Sequence, residues 1–335
     1  MRKGSKNEEL RTKNLWRLPH LLVLSSYLIV LASCSHTVRQ EVNDTVVDDY
    51  GRTVVVPAQP QRVVSLSPAV TEILFALGAQ DLLVGRTDFC VYPDAAAEIP
   101  SIGGISNLNI ESILALKPDL VISGSMVGKK VTDQMDAMGT PMVCVIEKPK
   151  FEALFDNITA IGKLVGKKHE ADSLNALLKE RVGHLIDSSL DEAYNNIRET
   201  KDYRLKDYQR KQLDKLQYTE STPNCYYVVG FGEGGNFTAG GNTFINDIIR
   251  MAGGRNIAEG IEGWSYSLEA LMKEDPDFII VRREDSATFC DMKPYNRLNA
   301  VKNGHVIGIV SGTLDLQVPR NIDAILYLRE RMNNK

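Results

Sequence analysis

The chain has 335 residues, of which 43% are hydrophobic and 24% are charged, and its formal net charge is −4. This length exceeds what one small core needs and fits two domains of ordinary size. The near-average composition disfavours disorder, collagen and coiled coil. The lack of a basic excess disfavours nucleic-acid binding, because such binding depends on Lys and Arg side chains that neutralise phosphates.

The N-terminal segment 1–33 predicts a secretory signal peptide. Six basic side chains precede an apolar run from Leu21 to Val30, and small residues follow it. This is the order of the charged, apolar and cleavage regions of a signal. About ten apolar residues form a helix of roughly 15 Å, half the ~30 Å hydrocarbon core, so this segment is too short to span a membrane.

The end of this segment, Leu-Ala-Ser-Cys at 31–34, resembles a bacterial lipobox. By that resemblance Cys34 is the lipid-modified first residue of the mature chain, and several acyl chains anchor it firmly. Residues 34–49 then form a polar tether. We therefore expect an exported protein that is lipid-anchored to the bacterial cell envelope, at the periplasmic face or the cell surface. Which membrane carries the anchor is left open.

From residue 50 onward, short β-type runs alternate with helical patterns. This alternation predicts an N-terminal α/β lobe over 50–150 with a largely parallel sheet. Strand signals stop between 151 and 223, where the pattern predicts linker helices with a charged insertion. The insertion, 188–222, is expected to be a solvated helical extension or a partly mobile segment, and its role is left open. A second α/β lobe is predicted over 224–335.

The two predicted lobes share a repeated unit. In the first copy, a short helix with Glu111 ends before a Pro-Asp pair at 118–119, and a strand follows. In the second copy, Glu269 precedes the Pro-Asp pair at 276–277 by the same interval. Each helix opens with an N-cap residue and ends at a proline. The repeat predicts two related lobes, with a cleft between them as the favoured ligand site.

A glycine-rich loop at 230–235 follows a predicted strand and formally contains Gly-x-Gly-x-x-Gly. A dinucleotide site needs a helix that begins within the glycine run. Here the next helical pattern begins only near Thr243, so we interpret the loop as a flexible rim of the cleft. An exported nucleotide-dependent α/β enzyme is the less favoured alternative. Common hydrolase and phosphate-loop motifs are missing, and no catalytic residue is assigned.

Neither the histidines nor the cysteines form a metal-binding pattern. Beyond Cys34, the mature chain contains His36, His169, His184, His305, Cys90, Cys144, Cys225 and Cys290. Transition-metal sites usually need convergent His and carboxylate ligands, and no Cys-x-x-Cys pair is present. No metal site is therefore predicted. An exported chain permits disulfides, and the pairing of these cysteines is left open.

Several motifs resemble those of one family. They are Asp49 to Arg52, Arg62 to Glu72, Tyr92-Pro93, Leu116 to Ile122, Trp264, Glu269, Pro276-Asp277 and Pro319-Arg320. These are similar to motifs of the iron-chelate and vitamin B12 class of ABC-importer substrate-binding proteins. The resemblance covers nearly all of 48–333 except the charged insertion. It implies two α/β lobes joined by a long linker helix, a ligand cleft between them and only small hinge motion.

The resemblance also implies how the protein meets its transporter. In this family one surface glutamate per lobe docks into basic pockets of the membrane permease, and Glu111 and Glu269 match those positions. The internal repeat singles out the same two residues. The alternative is that each glutamate only favours the macrodipole at its helix N-terminus, and both can hold. The expected partners are thus the permease and its ATPase.

Ligand contacts are expected from loops at the strand ends that face the cleft. The candidates are Phe89, Tyr92, Phe231, Phe237, Trp264, Tyr266 and Arg320. Aromatic rings suit a large planar or macrocyclic ligand, and a guanidinium can reach a propionate, phosphate or amide. For the aromatic residues, packing in the core is the alternative.

Within the family, the vitamin B12 binders have the closest pattern, through Phe89, Tyr92-Pro93 and Trp264. Where those relatives carry further tryptophans, this chain has Ile105 and Gly124. We therefore expect capture and delivery of a corrinoid without chemistry on it, and haem or a ferric siderophore is the alternative ligand. No cofactor is expected, because the metal belongs to the ligand itself.

Overall fold

The computed structural model describes residues 43–105, 108–185 and 218–334. Their strands form one two-stranded hairpin and two four-stranded parallel sheets. The predicted signal peptide, Cys34, most of the tether and most of the charged insertion lie outside these ranges. Within these ranges, no helix is long and apolar enough to cross a membrane.

The N-terminal lobe begins with an antiparallel hairpin and continues into a parallel sheet. Residues 43–47, predicted as part of the tether, form the first strand of that hairpin because they pair with 53–57. Its elements are β1 (Asn43–Val47), β2 (Thr53–Pro57), β3 (Val63–Ser65), α1 (Pro68–Ala76), β4 (Leu83–Arg86), α2 (Ile110–Ala115), β5 (Leu120–Ser123), α3 (Lys129–Ala137) and β6 (Met142–Cys144). The sheet order is β4-β3-β5-β6. Every residue of β3, β5 and β6 is buried, which is typical of a parallel sheet covered by helices on both faces.

Two helices, α4 (Ala153–Leu164) and α5 (Lys168–Val182), follow the first lobe, as the apolar spacing predicts. The single long linker helix that the resemblance implies is divided here at Gly166, which has a φ of 69°. Gly162 lets the two helices pack closely, because a Cβ there would lie 2.5 Å from the Cβ of Ala171. One buried apolar cluster includes Leu74, Ile158 and residues of the second lobe, so α4 connects the two cores.

The C-terminal lobe repeats the same topology. Its elements are β7 (Asn224–Tyr227), α6 (Phe244–Met251), β8 (Arg255–Asn256), α7 (Leu268–Glu274), β9 (Phe278–Arg282), α8 (Ser286–Asp291), α9 (Asn299–Lys302), β10 (Val306–Ile309) and α10 (Asn321–Asn333). The sheet order β8-β7-β9-β10 corresponds strand for strand to β4-β3-β5-β6. The fold is therefore α/β with two related lobes, as the repeat predicts.

The aspartates of the repeated Pro-Asp pairs have equivalent structural roles. Asp119 accepts hydrogen bonds from the backbone N–H groups of Gln61 at 2.7 Å and Arg62 at 2.9 Å. Asp277 accepts one from the backbone N–H of Asn224 at 2.8 Å. The aspartate before β5 thus holds the start of β3, and the aspartate before β9 holds the start of β7. These equivalent hydrogen bonds explain why the Pro-Asp pair occurs at the same place in both lobes.

A buried carboxylate closes the hairpin of the first lobe. The Asp48 side chain accepts hydrogen bonds from the backbone N–H groups of Tyr50 at 3.0 Å and Arg52 at 2.9 Å, and from Arg52 Nη2 at 2.6 Å. Arg52 also donates to the carbonyl of Met142 at 2.8 Å, which ties the hairpin to β6. Burial raises the pKa of Asp48, but Arg52 and the hydrogen bonds outweigh it and hold the pKa below its ordinary value.

We expect Asp48→Asn to lower the free energy of unfolding by about 2 kcal/mol at neutral pH, because hydrogen bonds to a charged group are weakened. A lowered pKa makes the contribution of the carboxylate present above its unfolded pKa and lost as the pH falls. The difference from wild type should therefore shrink below about pH 4, as urea denaturation at several pH values would measure. Asp133→Asn, in an exposed pair with Lys129, is the control. A difference that stays constant with pH would contradict this account.

Candidate functional site

The candidate cleft residues lie where the parallel strands end. In an open α/β sheet, ligands bind beside the carboxyl ends of the strands. In the first lobe β3 ends at Ser65, β4 at Arg86, β5 at Ser123 and β6 at Cys144, and the loops that follow converge at one edge. Because a helix runs back against its strand, the N-termini of α2 and α7 lie at the corresponding edges of their sheets.

A cavity of about 250 Å³ opens at this edge. It is lined by Leu66, Ser67, Pro68, Phe89, Ile105, Gly124, Ser125, Met126, Glu147 and Leu316. All of these belong to the first lobe, in loops or at the start of α1, except Leu316, which comes from the second lobe. The cavity therefore lies between the lobes, and its volume is just below the lower end of the range of about 300–1,000 Å³ for small-molecule sites.

Glycine at position 124 keeps two loops of this cavity close together. A Cβ at Gly124 would lie 2.9 Å from the hydroxyl oxygen of Ser67, at the turn between β3 and α1. Ile105 lines the same cavity. These are the two positions at which the resemblance places tryptophans in vitamin B12 binders. The structure shows that both positions face the cavity and that this chain carries smaller side chains there.

Four of the predicted ligand contacts expose much of their rings. Phe89, Tyr92, Phe237 and Trp264 are 57%, 44%, 40% and 47% exposed. Large aromatic side chains usually bury most of their surface, so these four side chains have surface available for a ligand. Phe89 lines the cavity itself. As ligand contacts, all four remain predictions.

The glycine-rich loop is more firmly held than the flexible rim that the sequence predicts. The backbone of Phe237 pairs with Gly230 on one side and with Ser265 on the other. The Tyr295 hydroxyl accepts a hydrogen bond from the N–H of Gly232 at 3.0 Å. The loop itself contains only a short 3-10 helix, Gly232–Gly234, and the next α-helix, α6, begins after its N-cap Thr243, as predicted. The helix start that a dinucleotide site needs is therefore not at this loop.

The other two aromatic candidates pack within the second lobe. The half-buried ring of Phe231 lies 5.2 Å from the Phe289 ring and 5.8 Å from the Tyr295 ring. Tyr266 lies 5.6 Å from the Tyr226 ring, and burial raises its pKa. These two rings therefore pack against other aromatic rings of the core, which is the alternative that the sequence analysis gives for the aromatic candidates. Their role as ligand contacts stays a prediction.

The guanidinium of Arg320, also a predicted ligand contact, is engaged by protein groups. It donates to both carboxylate oxygens of Glu72, at 2.8 and 2.7 Å, and to the Thr313 hydroxyl at 2.7 Å. It also lies 4.3 Å from the centre of the Tyr92 ring. Glu72 belongs to α1 of the first lobe, so this buried ion pair joins the lobes. A ligand anion would have to compete with Glu72 for this guanidinium.

A second cavity, of about 270 Å³, shares no lining residue with the first. It is lined by Tyr92, Arg283, Gly308, Ile309, Val310, Thr313, Arg320, Asp323, Ala324 and Tyr327. It lies between the carboxyl end of β10 and the first turns of α10, with Tyr92 from the other lobe at its side.

Glu111 and Glu269 occupy matching positions in the two lobes. Each is exposed and lies in the first turn of its helix. The N-cap side chains of Asn109 and Ser267 accept hydrogen bonds from the backbone three residues later, at 3.1 and 3.0 Å. Neither glutamate forms an ion pair with a residue that the structure describes. Both carboxylates are therefore available to a partner.

Several residues of the cavity are not identified by the sequence. They are Leu66, Ser67, Pro68, Ser125, Met126, Glu147 and Leu316. Met126 is 75% exposed, which is unusual for a large apolar side chain. For Ser67, Pro68, Ser125, Met126 and Glu147, the available signal is their position within four residues after a predicted strand, because the ends of parallel strands share one edge.

The described ranges contain no group of three or more His, Cys, Asp or Glu that could hold a metal ion. Cys90, Cys144, Cys225 and Cys290 are all free thiols. The sequence leaves their disulfide pairing open, and among the described residues these four cysteines form no disulfide. His305 stacks on Phe278, with the ring centres 5.0 Å apart.

The periplasmic binding protein family model matches residues 63–196 and 209–311 of this chain. The chain belongs to this family, which is a class of solute-binding proteins. The family resemblance of the sequence motifs is confirmed.

Two relatives and one solved structure illustrate the similarity. An uncharacterized ABC transporter substrate-binding lipoprotein of Bacillus subtilis is 26% identical over 317 residues, or 90% of this chain and 92% of the relative. A cobalamin-binding protein of Halobacterium salinarum is 24% identical over 301 residues, 86% of this chain and 73% of the relative. A periplasmic heme binding protein of Pseudomonas aeruginosa shares the fold, with a TM-score of 0.65 and 24% identity over 82% of this chain and 92% of that one.

Proposed function

We propose that this protein captures a corrinoid of the vitamin B12 type and delivers it to the permease of an ABC importer. The observation that carries the proposal is the cavity between the lobes, whose mostly apolar wall includes the exposed ring of Phe89. A macrocycle presents two broad apolar faces and a polar rim. Such a ligand suits a cleft that offers rings and aliphatic side chains from two opposed lobes.

The exposed rings provide enough apolar surface for useful affinity. Complete burial of one aromatic side chain of about 150–250 Å² is worth roughly 4–6 kcal/mol before the costs of binding. Phe89 and Trp264 are about half exposed, so about half of that value remains for a ligand. Two such rings can offset much of the entropy that binding costs. The cobalamin-binding relative supports the corrinoid.

We also propose that the protein is exported and lipid-anchored through Cys34. The lipobox resemblance supports this, and the Bacillus subtilis relative is described as a lipoprotein. In this arrangement the tether holds the two lobes near the permease. Glu111 and Glu269, one on each lobe, would then contact the permease together.

The test is direct binding to the chain from residue 35 onward, which leaves out the signal peptide and the lipidated Cys34. Titration with cyanocobalamin, haemin and a ferric siderophore, followed by calorimetry and the visible spectrum, should show one cyanocobalamin bound per chain. Trp264→Ala should weaken that binding by about tenfold or more, since ring burial is lost. Leu177→Ala, which removes an exposed apolar side chain on α5, is the control and should keep the wild-type affinity.

Two outcomes of this titration would contradict the corrinoid. Exclusive binding of haemin or of the siderophore would keep the class of protein and replace the ligand. Binding of none of the three would overturn the proposal as a whole.

A further inference from the structure

The cavity contains one carboxylate whose charge no described cation balances. Glu147 follows the last strand of the first sheet, β6, and is half-buried in the cavity wall. Its Oε2 accepts a hydrogen bond from the Ser125 hydroxyl at 2.6 Å. Among the described residues, no donor is bonded to Oε1, which lies 3.5 Å from the position that a Cβ on Gly124 would take.

The backbone on both sides of Glu147 is held in place. The N–H of Ile146 donates to Asp49 Oδ2 at 2.8 Å. The N–H of Lys148 donates to Gln317 Oε1 at 3.0 Å. Because both neighbouring peptides are fixed by side chains, the carboxylate is presented to the cavity in a defined position before any ligand arrives.

Lys148 and Arg320, two cations from segments beside the cleft, are paired with other acids. The ammonium of Lys148, next to Glu147 in the chain, lies 3.0 Å from Asp49 Oδ1. The guanidinium of Arg320 is engaged by Glu72 at 2.7 Å. Arg283 lines the second cavity, which shares no lining residue with the first. Among the residues that line the first cavity Glu147 is the one charged side chain, so this lining presents a net negative charge to a ligand.

We propose that Glu147 is a specificity-determining residue that selects macrocycles with uncharged amide side chains over those with carboxylates. This inference rests on the proposed function, because it assumes a macrocycle in the cleft. A primary amide offers two N–H donors to the free carboxylate oxygen. A peripheral carboxylate offers acceptors alone at neutral pH, and its charge is repelled by Glu147. The periphery of a corrinoid carries amides, whereas haem carries propionates.

The experiment compares cyanocobalamin with its separated monocarboxylate derivatives, each of which has one peripheral amide hydrolysed. The wild-type chain should bind at least one derivative about tenfold or more weakly than cyanocobalamin. Glu147→Gln, which keeps the shape and removes the charge, should bring that derivative within about threefold. Ser125→Ala, which keeps the charge, should retain the discrimination. Glu330→Gln, an exposed glutamate on α10, is the control and should match wild type.

The outcomes separate this inference from the proposed function. If the wild type binds cyanocobalamin but Glu147→Gln leaves the ratio of the two affinities unchanged, Glu147 is not the selecting group and the corrinoid function stands. If the wild type binds all monocarboxylates as well as it binds cyanocobalamin, the selection itself is refuted. If the wild type binds no corrinoid, the proposed function fails first, and this inference fails with it.

Discussion

Replacement of Arg320 by alanine should lower the free energy of unfolding by about 3–5 kcal/mol, because it leaves Glu72 as a buried charge without a partner. The two side chains are 12% and 4% exposed, and two hydrogen bonds of 2.7 and 2.8 Å join them. Urea denaturation of the wild type and the variant at neutral pH measures the difference. Arg181→Ala, which breaks an exposed pair with Asp323, is the matched control and should cost less than about 1 kcal/mol.

The pH dependence of this loss identifies its cause. Burial raises the pKa of Glu72, and Arg320 opposes that rise. Without Arg320 the pKa of Glu72 should rise further, so the folded variant prefers the protonated acid. The unfolded pKa is the same in both proteins, so the extra loss develops as the pH rises from the folded pKa of wild-type Glu72, already above 4.5, through the higher folded pKa of the variant. It is relieved below about pH 4.5, where Glu72 is protonated in both proteins. A loss of equal size at acid and neutral pH would show that packing, not charge, is responsible.

The double variant Glu111→Ala with Glu269→Ala should abolish transport and leave ligand affinity unchanged. If each glutamate meets a basic pocket of the permease, its loss costs about 2–5 kcal/mol of binding to the transporter. One such loss alone would weaken docking by about thirtyfold or more. Uptake of cyanocobalamin into proteoliposomes that contain the permease and its ATPase measures the effect, and calorimetry checks the affinity for the ligand.

The control for this prediction removes the same charge from elsewhere on the surface. Glu98 and Glu330 are exposed, and alanine at both positions gives a control with the same net charge as the Glu111 and Glu269 double variant. That control should transport as the wild type does. Normal uptake by the Glu111 and Glu269 double variant, with ligand binding intact, would exclude docking through these two residues. The favourable interaction with the helix macrodipole would then be their remaining role.

The attachments between the lobes limit how far the cleft can open. Gln317 of the second lobe donates to the carbonyls of Lys148 at 2.9 Å and Lys150 at 2.8 Å, at the end of the first lobe. Its side chain is buried, and the ion pair between Arg320 and Glu72 lies a few residues away. Two separate polar contacts thus join the segment 313–321 to the first lobe. This arrangement agrees with the small hinge motion that the family resemblance implies.

The architecture follows from local patterns in the chain. The strands β3, β5 and β9 are fully or almost fully buried, so they occur as continuous apolar runs that identify a parallel sheet. The repeated unit with Glu111 and Glu269 also depends on neighbouring residues, since caps and prolines act over a single helical turn. Helix α3 is not predicted, because its sequence is mostly polar, with Val131, Met135 and the terminal Ala137 as its apolar residues.

The chemistry of the cleft, in contrast, depends on contacts between distant parts of the chain. The sequence predicts Arg320 as a ligand contact, but the partner that engages it, Glu72, is 248 positions away. Composition cannot distinguish the inward ring of Phe231 from the exposed ring of Phe89, because both are phenylalanines in loops after strands. Glu147 has no local motif, and folding places it beside Ser125. The family and the two lobes follow from local patterns, whereas the charge that faces the ligand depends on which distant side chains neutralise one another.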